Sequence, residues 1–349
     1  MHNVLLLTDK LITGGAEMYF CKLENHLKAA NMTFYSAAAP GEMYNEIHHK
    51  TNFISLSLKN HLTNLKTLSR QVIQKDIRII HANSLRMLLY SIVVRKITKR
   101  DMKLVYTKHN VTVLEKRVPL LFKTVVNRYV HQVIAVSNFE KGNLLRLGVR
   151  NELIQTIYNG VDIKQFSFQP LQAQKTFNVG ILARLSKEKN HVLFLNIANE
   201  LRDMEQVVFH IAGDGPEREF VEKEIKNLQL HHKINVLGQV SNPYEFICSM
   251  DLLLLTSFRE VFPMVILEAM ATGTPIVSVD VGGIKEAIVD YETGILIRHH
   301  SEREFAEKIK LLHDNEDLRR GLIGAARKKV EERFTLSTMI HSTLEAYRC

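Results

Sequence analysis

Short apolar runs alternate with stretches of helical spacing from one end of the chain to the other. Val4–Thr8 predicts a buried strand, and Glu17–Ala29 the helix that follows it. Thr33–Ala38 and Phe53–Leu58 predict further strands. Leu62–Gln74 has helical spacing and leads into a strand at Ile77–His81. A helix near Ser84–Lys96 precedes strand Leu104–Thr107, and one near Pro119–Tyr129 precedes strand Gln132–Val136. Strands that are apolar at consecutive positions are buried on both faces, as parallel sheets require. Their alternation with helices predicts a doubly wound α/β domain.

The pattern then restarts. Phe177–Ala183, Val207–Ala212, Ile234–Leu237, Leu252–Thr256, Pro275–Val279 and Ile295–Ile297 predict six strands. Helices such as His191–Arg202 and Pro216–Leu228 fall between them, and Phe334–Tyr347 predicts a last helix. Ile163–Thr176 lacks periodicity and contains Pro170, so it reads as a linker. A chain of 349 residues is long enough for two such domains. The expectation is an α/β chain of two Rossmann-like domains facing across a cleft. The first is residues 1–165, the second 171–333. Ligands of open α/β sheets bind beyond the carboxyl ends of the strands.

Composition narrows the classes. Hydrophobic residues make up 46% and charged residues 24%, which excludes a disordered or fibrous chain. The apolar run Leu88–Val94 is closed by Arg86 and Arg95, and nothing approaches the ~20 residues that span a bilayer. Met1-His2-Asn3-Val4 runs straight into the first strand without a secretory leader. Cys21, Cys248 and Cys349 are scattered and odd in number. Together these features predict a cytoplasmic chain without a disulfide framework.

Charge is uneven. Residues 1–170 carry 24 Lys and Arg against 11 Asp and Glu, a net of +13, whereas the remainder is net −4. The first half is therefore expected to meet something anionic, such as nucleic acid, acidic lipid headgroups or a phosphorylated acceptor; a merely soluble basic surface is the plain alternative. Two segments concentrate the charge, Arg95–Arg100 and Lys116–Arg128. Val118, Leu121, Phe122, Val125 and Tyr129 share one helical face in the second. That face suits the core or a membrane surface. Trp is absent and no aromatic–basic interleaving appears, so nucleic acid is not expected as a partner.

Four loops could carry chemistry. Thr13-Gly14-Gly15-Ala16-Glu17 follows the first strand, where paired glycines admit close backbone approach and a helix start favours anions. Arg184-Leu185-Ser186-Lys187-Glu188-Lys189-Asn190 follows the first strand of the second half. There Arg184 and Lys189 can neutralise phosphate oxygens, one as a fork and one as a point charge. Ala212-Gly213-Asp214-Gly215-Pro216 is a strand-to-helix turn. Glu260 lies in the loop after Leu252–Thr256, and Glu268 in the helix after Pro263. A loop carboxylate can accept sugar hydroxyls, and a helix carboxylate ribose hydroxyls. Each motif read alone is also a plain turn or a solvated charged loop. His109 ends a strand, where a structural role is the commoner one. His48-His49, His231-His232 and His299-His300 lack metal-ligand spacing, so no metal site is predicted.

In order and spacing, these motifs resemble the retaining family 4 (GT4) glycosyltransferases of the two-Rossmann (GT-B) type. The likeness covers nearly the whole chain and is clearest from Asn159 to Gly294. Asn159-Gly160-Val161-Asp162, Gly273-Thr274-Pro275, Gly282-Gly283 and Thr293-Gly294 also carry it. One position departs, since Val261 stands where the family commonly has Gly. The resemblance implies a nucleotide-diphosphate sugar held mainly by the second domain, an acceptor at the first, and a last helix, 334–349, crossing back to the first. It gives the diphosphate to Arg184 and Lys189, the donor sugar to Glu260, and the ribose to Glu268. Backbone near Phe262 and Met264 contacts sugar or phosphate, and the Gly213 turn is counted with the nucleotide-binding residues. Gly15 approaches the β-phosphate and His109 the donor sugar. The implied reaction keeps the anomeric configuration without a protein nucleophile, a metal or another cofactor. A UDP-hexose or UDP-N-acetylhexosamine donor and a lipid-linked or polymeric glycan acceptor at the inner membrane face are expected. The alternatives are a sugar-nucleotide epimerase of the same fold and a non-enzymatic basic module binding membrane or nucleic acid.

Overall fold

The apolar runs form the strands of two parallel sheets. The computed structural model describes residues 2–110, 112–170 and 175–348; linker residues 171–174 and Cys349 lie outside the described residues. The chain divides into two units, residues 1–159 with 337–349, and residues 160–336.

In the first unit the strands are β1 (His2–Lys10), β2 (Met32–Ala39), β3 (Phe53–Ser55), β4 (Ile77–Ala82), β5 (Lys103–Lys108), β6 (Gln132–Ala135) and β7 (Ile154–Thr156). Helices α1 (Gly15–His26), α2 (His61–Gln74), α3 (Leu85–Thr98), α4 (Val113–Arg117), α5 (Pro119–Tyr129) and α6 (Asn138–Arg146) connect them. The strand order is β3-β2-β1-β4-β5-β6-β7. Leu5 lies opposite Tyr35 on one side and Ile80 on the other. The core joins Leu5, Leu7, Ile80, Leu104 and Val133 of the strands to Leu68, Leu88 and Phe122 of the helices.

The second unit holds β8 (Phe177–Leu182), α7 (His191–Glu200), β9 (Val207–Ala212), α8 (Arg218–Asn227), β10 (Ile234–Gly238), α9 (Pro243–Cys248) and β11 (Leu252–Leu255). It continues with α10 (Met264–Thr272), β12 (Ile276–Val279), α11 (Ile284–Ala287), β13 (Ile295–Ile297), α12 (Glu302–Asp314) and α13 (Glu316–Arg333). The strand order is β10-β9-β8-β11-β12-β13. Val179, Phe209, Leu252 and Val277 meet Phe194, Val221, Phe305 and Ile309 in its core. Strand order reverses between β1 and β4 in one sheet and between β8 and β11 in the other. Such switch points open a crevice at the carboxyl ends of the strands. The candidate loops after β1, β8 and β11 all sit at one.

The chain passes between units at Asn159–Gly160, ahead of the aperiodic 163–176 stretch expected to join them. Residues 160–169 pack on the second unit because Phe166 is buried there. Arg327 donates to the carbonyls of Phe166 and Ala271, and the Gln169 N–H to that of Thr272. The last helix, α14 (Leu336–Arg348), returns most of its length to the first unit. Tyr347 is hydrogen bonded to His81 Nδ1 at 2.6 Å, and His81 Nε2 to Thr107 at 2.6 Å.

Burial pushes the pKa of His81 down to about 3. The unfolded chain therefore binds a proton that the folded one refuses between pH ~6.5 and that value, and folding loses stability as pH falls through this window. His81→Gln is expected to flatten the pH dependence of the unfolding midpoint between pH 6.5 and 4. An unchanged slope would place the acid sensitivity elsewhere.

The amphipathic face expected over residues 118–129 is only partly buried. Phe122 and Val126 are fully buried, whereas Val118 is 44% and Leu121 48% exposed. Leu121 and Phe122 are ~100° apart on the helix, so both cannot face the same sheet squarely.

Candidate functional site

At the switch point of the second sheet, the loop after β8 is fixed by its own buried Leu185. Leu185 N–H donates to Asp214 O, and its carbonyl accepts from Glu217 N–H, both at 3.0 Å. Gly213 has φ +137°, and a Cβ there would lie 2.0 Å from the Ala183 carbonyl oxygen. A Cβ at Gly215 would lie 2.4 Å from that of Leu185. Close packing of the two loops thus accounts for both glycines.

The β8 loop is also joined to the loop after β11. Phe258 N–H donates to Glu188 O at 2.8 Å, and Thr256 Oγ1 to Lys189 O at 2.9 Å. These bonds bring together side chains 71 positions apart. Lys189 Nζ lies 2.6 Å from Glu260 Oε1, and Ser257 Oγ donates to the same oxygen at 2.7 Å. Glu260 is 9% exposed and the Lys189 side chain 24%. Oε1 thus accepts from two donors. Arg184 is exposed and, among the described residues, forms no ion pair. His191, just past Lys189, is buried. Burial and then the Lys189 charge push its pKa down to about 4, so it adds no charge at neutral pH.

Gly282, at φ +64°, closes the site from the next strand. A Cβ there would fall 1.7 Å from the Glu260 carbonyl oxygen. Val261 is not among the described residues with left-handed backbone, so a β-branched residue is accommodated at this point of the loop. Phe262 is buried against Phe334, with ring centroids 5.4 Å apart. Met264 opens α10 and is half-buried; Glu268 is buried one turn further on. The first N–H groups of α10 lack intrahelical acceptors and lie beside the Glu260 loop.

In the first unit, Gly15 opens α1 and a Cβ there would meet nothing within 4 Å. His109 follows β5. Its Nε2 lies 3.4 Å from Asn83 Oδ1, and its ring stands edge-on to Tyr19 at 4.7 Å. Burial, then the neighbouring Lys108 charge, push its pKa down to about 3, so the ring is neutral. Lys108 is fully buried. It pairs with Glu115 at 2.9 Å and with Glu140, which ties the end of β5 to α4 and α6.

Two sequence families match this chain side by side. The family described as glycosyl transferases group 1 covers residues 162–329, and that described as glycosyltransferase family 4 covers residues 13–165. The chain belongs to glycosyltransferase family 4. The family 4 chain is 31% identical over 213 residues to N-acetyl-alpha-D-glucosaminyl L-malate synthase of Bacillus anthracis, across 58% of its own length and 55% of the relative's. It is 25% identical to one component of the human phosphatidylinositol N-acetylglucosaminyltransferase, across 82% of its own length and 64% of that protein's. The matched stretch thus spans less than two thirds of either relative. Among solved structures, Anabaena HepE in complex with UDP and glucose shares the fold over the full length of both chains, with a TM-score of 0.85 at 22% identity.

Of the residues singled out in the sequence of this family 4 chain, Arg184, Lys189, Gly213, Glu260, Phe262, Met264 and Glu268 lie in one unit. The Lys189–Glu260 pair is in direct contact. Gly15 and His109 belong to the other unit. Sequence reasoning missed Ser257, although a hydroxyl three residues before a loop acid is a legible signal. It also missed the Lys108–Glu115–Glu140 cluster. Among the described residues no group of three or more His, Cys, Asp or Glu is placed to hold a metal.

Proposed function

We propose that this chain transfers a sugar from a UDP-hexose or UDP-N-acetylhexosamine to a lipid-linked or polymeric glycan, with retention at the anomeric carbon and without a metal ion. The Lys189–Glu260 pair, with the exposed Arg184 on the same loop after β8, carries the reading. A departing diphosphate needs positive charge, and Arg184 and Lys189 supply it from fixed loops. Glu260 Oε2 accepts the donor sugar's hydroxyls, and Glu268 those of the ribose. In the reaction the bond from C1 to the diphosphate oxygen breaks and its electrons leave with the phosphate. The acceptor oxygen bonds to C1 on the same face, and its proton passes to the departing phosphate. Gly15 and His109 are assigned to the β-phosphate and the donor sugar, as the family likeness implies. The two curated relatives are both named for N-acetylglucosamine, which supports an N-acetylhexosamine donor, and the UDP in HepE supports the base.

A thermal-shift screen of nucleotide sugars tests the donor. A ligand present at 100 times its Kd adds about 2.7 kcal/mol to stability. One UDP sugar is expected to raise the unfolding midpoint above what UDP alone does. If no nucleotide sugar raises it, the proposal fails.

A further inference from the structure

Given the assignment of His109 to the donor sugar, on which this rests, we infer that Asn83 is a positioning residue for it. Asn83 fixes His109 as a neutral ring with its proton on Nε2, so that Nδ1 is the atom offered to a sugar hydroxyl. Both residues belong to the first unit, Asn83 directly after β4 and His109 directly after β5.

Asn83 is 3% exposed, so the polar atoms of its amide need partners within the protein. Its backbone N–H donates to Leu7 O at 2.8 Å, and its side-chain Nδ2 donates to the same carbonyl at 3.4 Å. A carbonyl oxygen only accepts, so the amide nitrogen faces Leu7 and Oδ1 faces away from it. Oδ1 lies 3.4 Å from His109 Nε2. An amide oxygen also only accepts, so Nε2 carries the proton. The other tautomer would set two lone pairs against each other and leave Oδ1 buried without a donor.

The ring is held on other sides as well. The edge-on contact with Tyr19 fixes its plane, and buried Lys108, paired with Glu115 and Glu140, anchors the preceding residue. His109 is half-buried, and among the described residues Nδ1 has no hydrogen-bond partner. A neutral imidazole protonated on Nε2 accepts at Nδ1. The titratable groups facing the ring are Lys108 of β5, His81 of β4 and Tyr19 of α1. The Lys108 charge opposes a second proton on the ring. Burial keeps His81 neutral and pushes the Tyr19 hydroxyl up to about 12, so neither supplies a negative charge to draw that proton in.

Proton–nitrogen correlation spectra of the full chain with isotope-labelled histidine test the tautomer without any nucleotide; the signal missing from His109→Phe identifies the ring. In the parent, His109 is expected to be neutral with its proton on Nε2 from pH 8 to pH 5. Asn83→Ala is expected to show both tautomers. Asn83→Asp is expected to raise the titration midpoint by about two pH units, because a carboxylate beside Nε2 stabilises the imidazolium. A proton on Nδ1 in the parent, or an Asn83→Asp ring that titrates as the parent's does, overturns the inference. The thermal shift given by UDP-N-acetylglucosamine beyond that of UDP ties the ring to the sugar. This excess is expected to fall by at least half in Asn83→Ala and in His109→Phe, while the shift with UDP alone persists and reports that both are folded. If His109→Phe loses the excess and Asn83→Ala keeps it whole, Asn83 does not position the ring and the inference alone fails. If His109→Phe keeps it whole, the assignment of His109 to the sugar fails, whichever tautomer the spectra show.

Discussion

Glu260→Ala is expected to lower the transfer rate by about 10²–10³-fold while UDP affinity stays within about threefold of the parent or tightens. In the proposed function the carboxylate accepts hydroxyls of the sugar, which UDP lacks. Its loss also removes the negative charge that Lys189 meets at 2.6 Å, which leaves more of the ammonium's charge to the proposed diphosphate. Glu268→Ala is expected to do the reverse. A ribose hydroxyl bound to a carboxylate contributes about 1.5 kcal/mol, so UDP should weaken about tenfold. UDP titrations beside initial rates at saturating donor separate the two roles. If both substitutions weaken UDP equally, the assignment of Glu260 to the sugar is wrong.

Lys108→Ala is expected to destabilise the first unit by about 3–5 kcal/mol, because it leaves two buried carboxylates, Glu115 and Glu140, without their shared cation. Glu115 keeps its bonds from Thr112 and Glu140 its bond from Asn143, but neither carries a positive charge. Replacing all three with Met, Gln and Gln is expected to recover most of the loss, since the remaining amides can still accept those bonds. Urea unfolding measures both. A loss under about 1 kcal/mol for Lys108→Ala would mean that water reaches the carboxylates and that the cluster does not hold β5, α4 and α6 together.

Periodicity made the two sheets legible. Val207–Ala212, Ile295–Ile297 and Pro119–Tyr129 form with the bounds the pattern predicts, because each is a clean run closed by polar or turn residues. β7 and α6 were not legible. β7 reads Ile-Gln-Thr, with one apolar residue where β13 has three, and α6 carries Gly142 and polar residues over most of its length. The exit from the first unit was obscured because 160–169 has no period of its own and is held by the burial of its Phe166 and by Arg327 from outside it. At the candidate site, residue types and spacing pointed to Arg184, Lys189 and Glu260 separately. That Lys189 and Glu260 form one ion pair depends on β8 lying next to β11, a tertiary fact that no local pattern records. The same holds for Gly282, whose glycine is required by the Glu260 backbone across the sheet rather than by its own turn alone.

Side chains of the second unit are proposed to hold a nucleotide diphosphate without a metal. Calorimetric titration of UDP into the full chain in excess EDTA tests it most directly, with Arg184→Ala run alongside. EDTA is expected to leave the parent's affinity unchanged and Arg184→Ala to weaken it about tenfold or more, the loss of one charge-assisted contact of about 1.5 kcal/mol or more. Binding that disappears in EDTA and returns with manganese, or that is indifferent to Arg184→Ala, would contradict it.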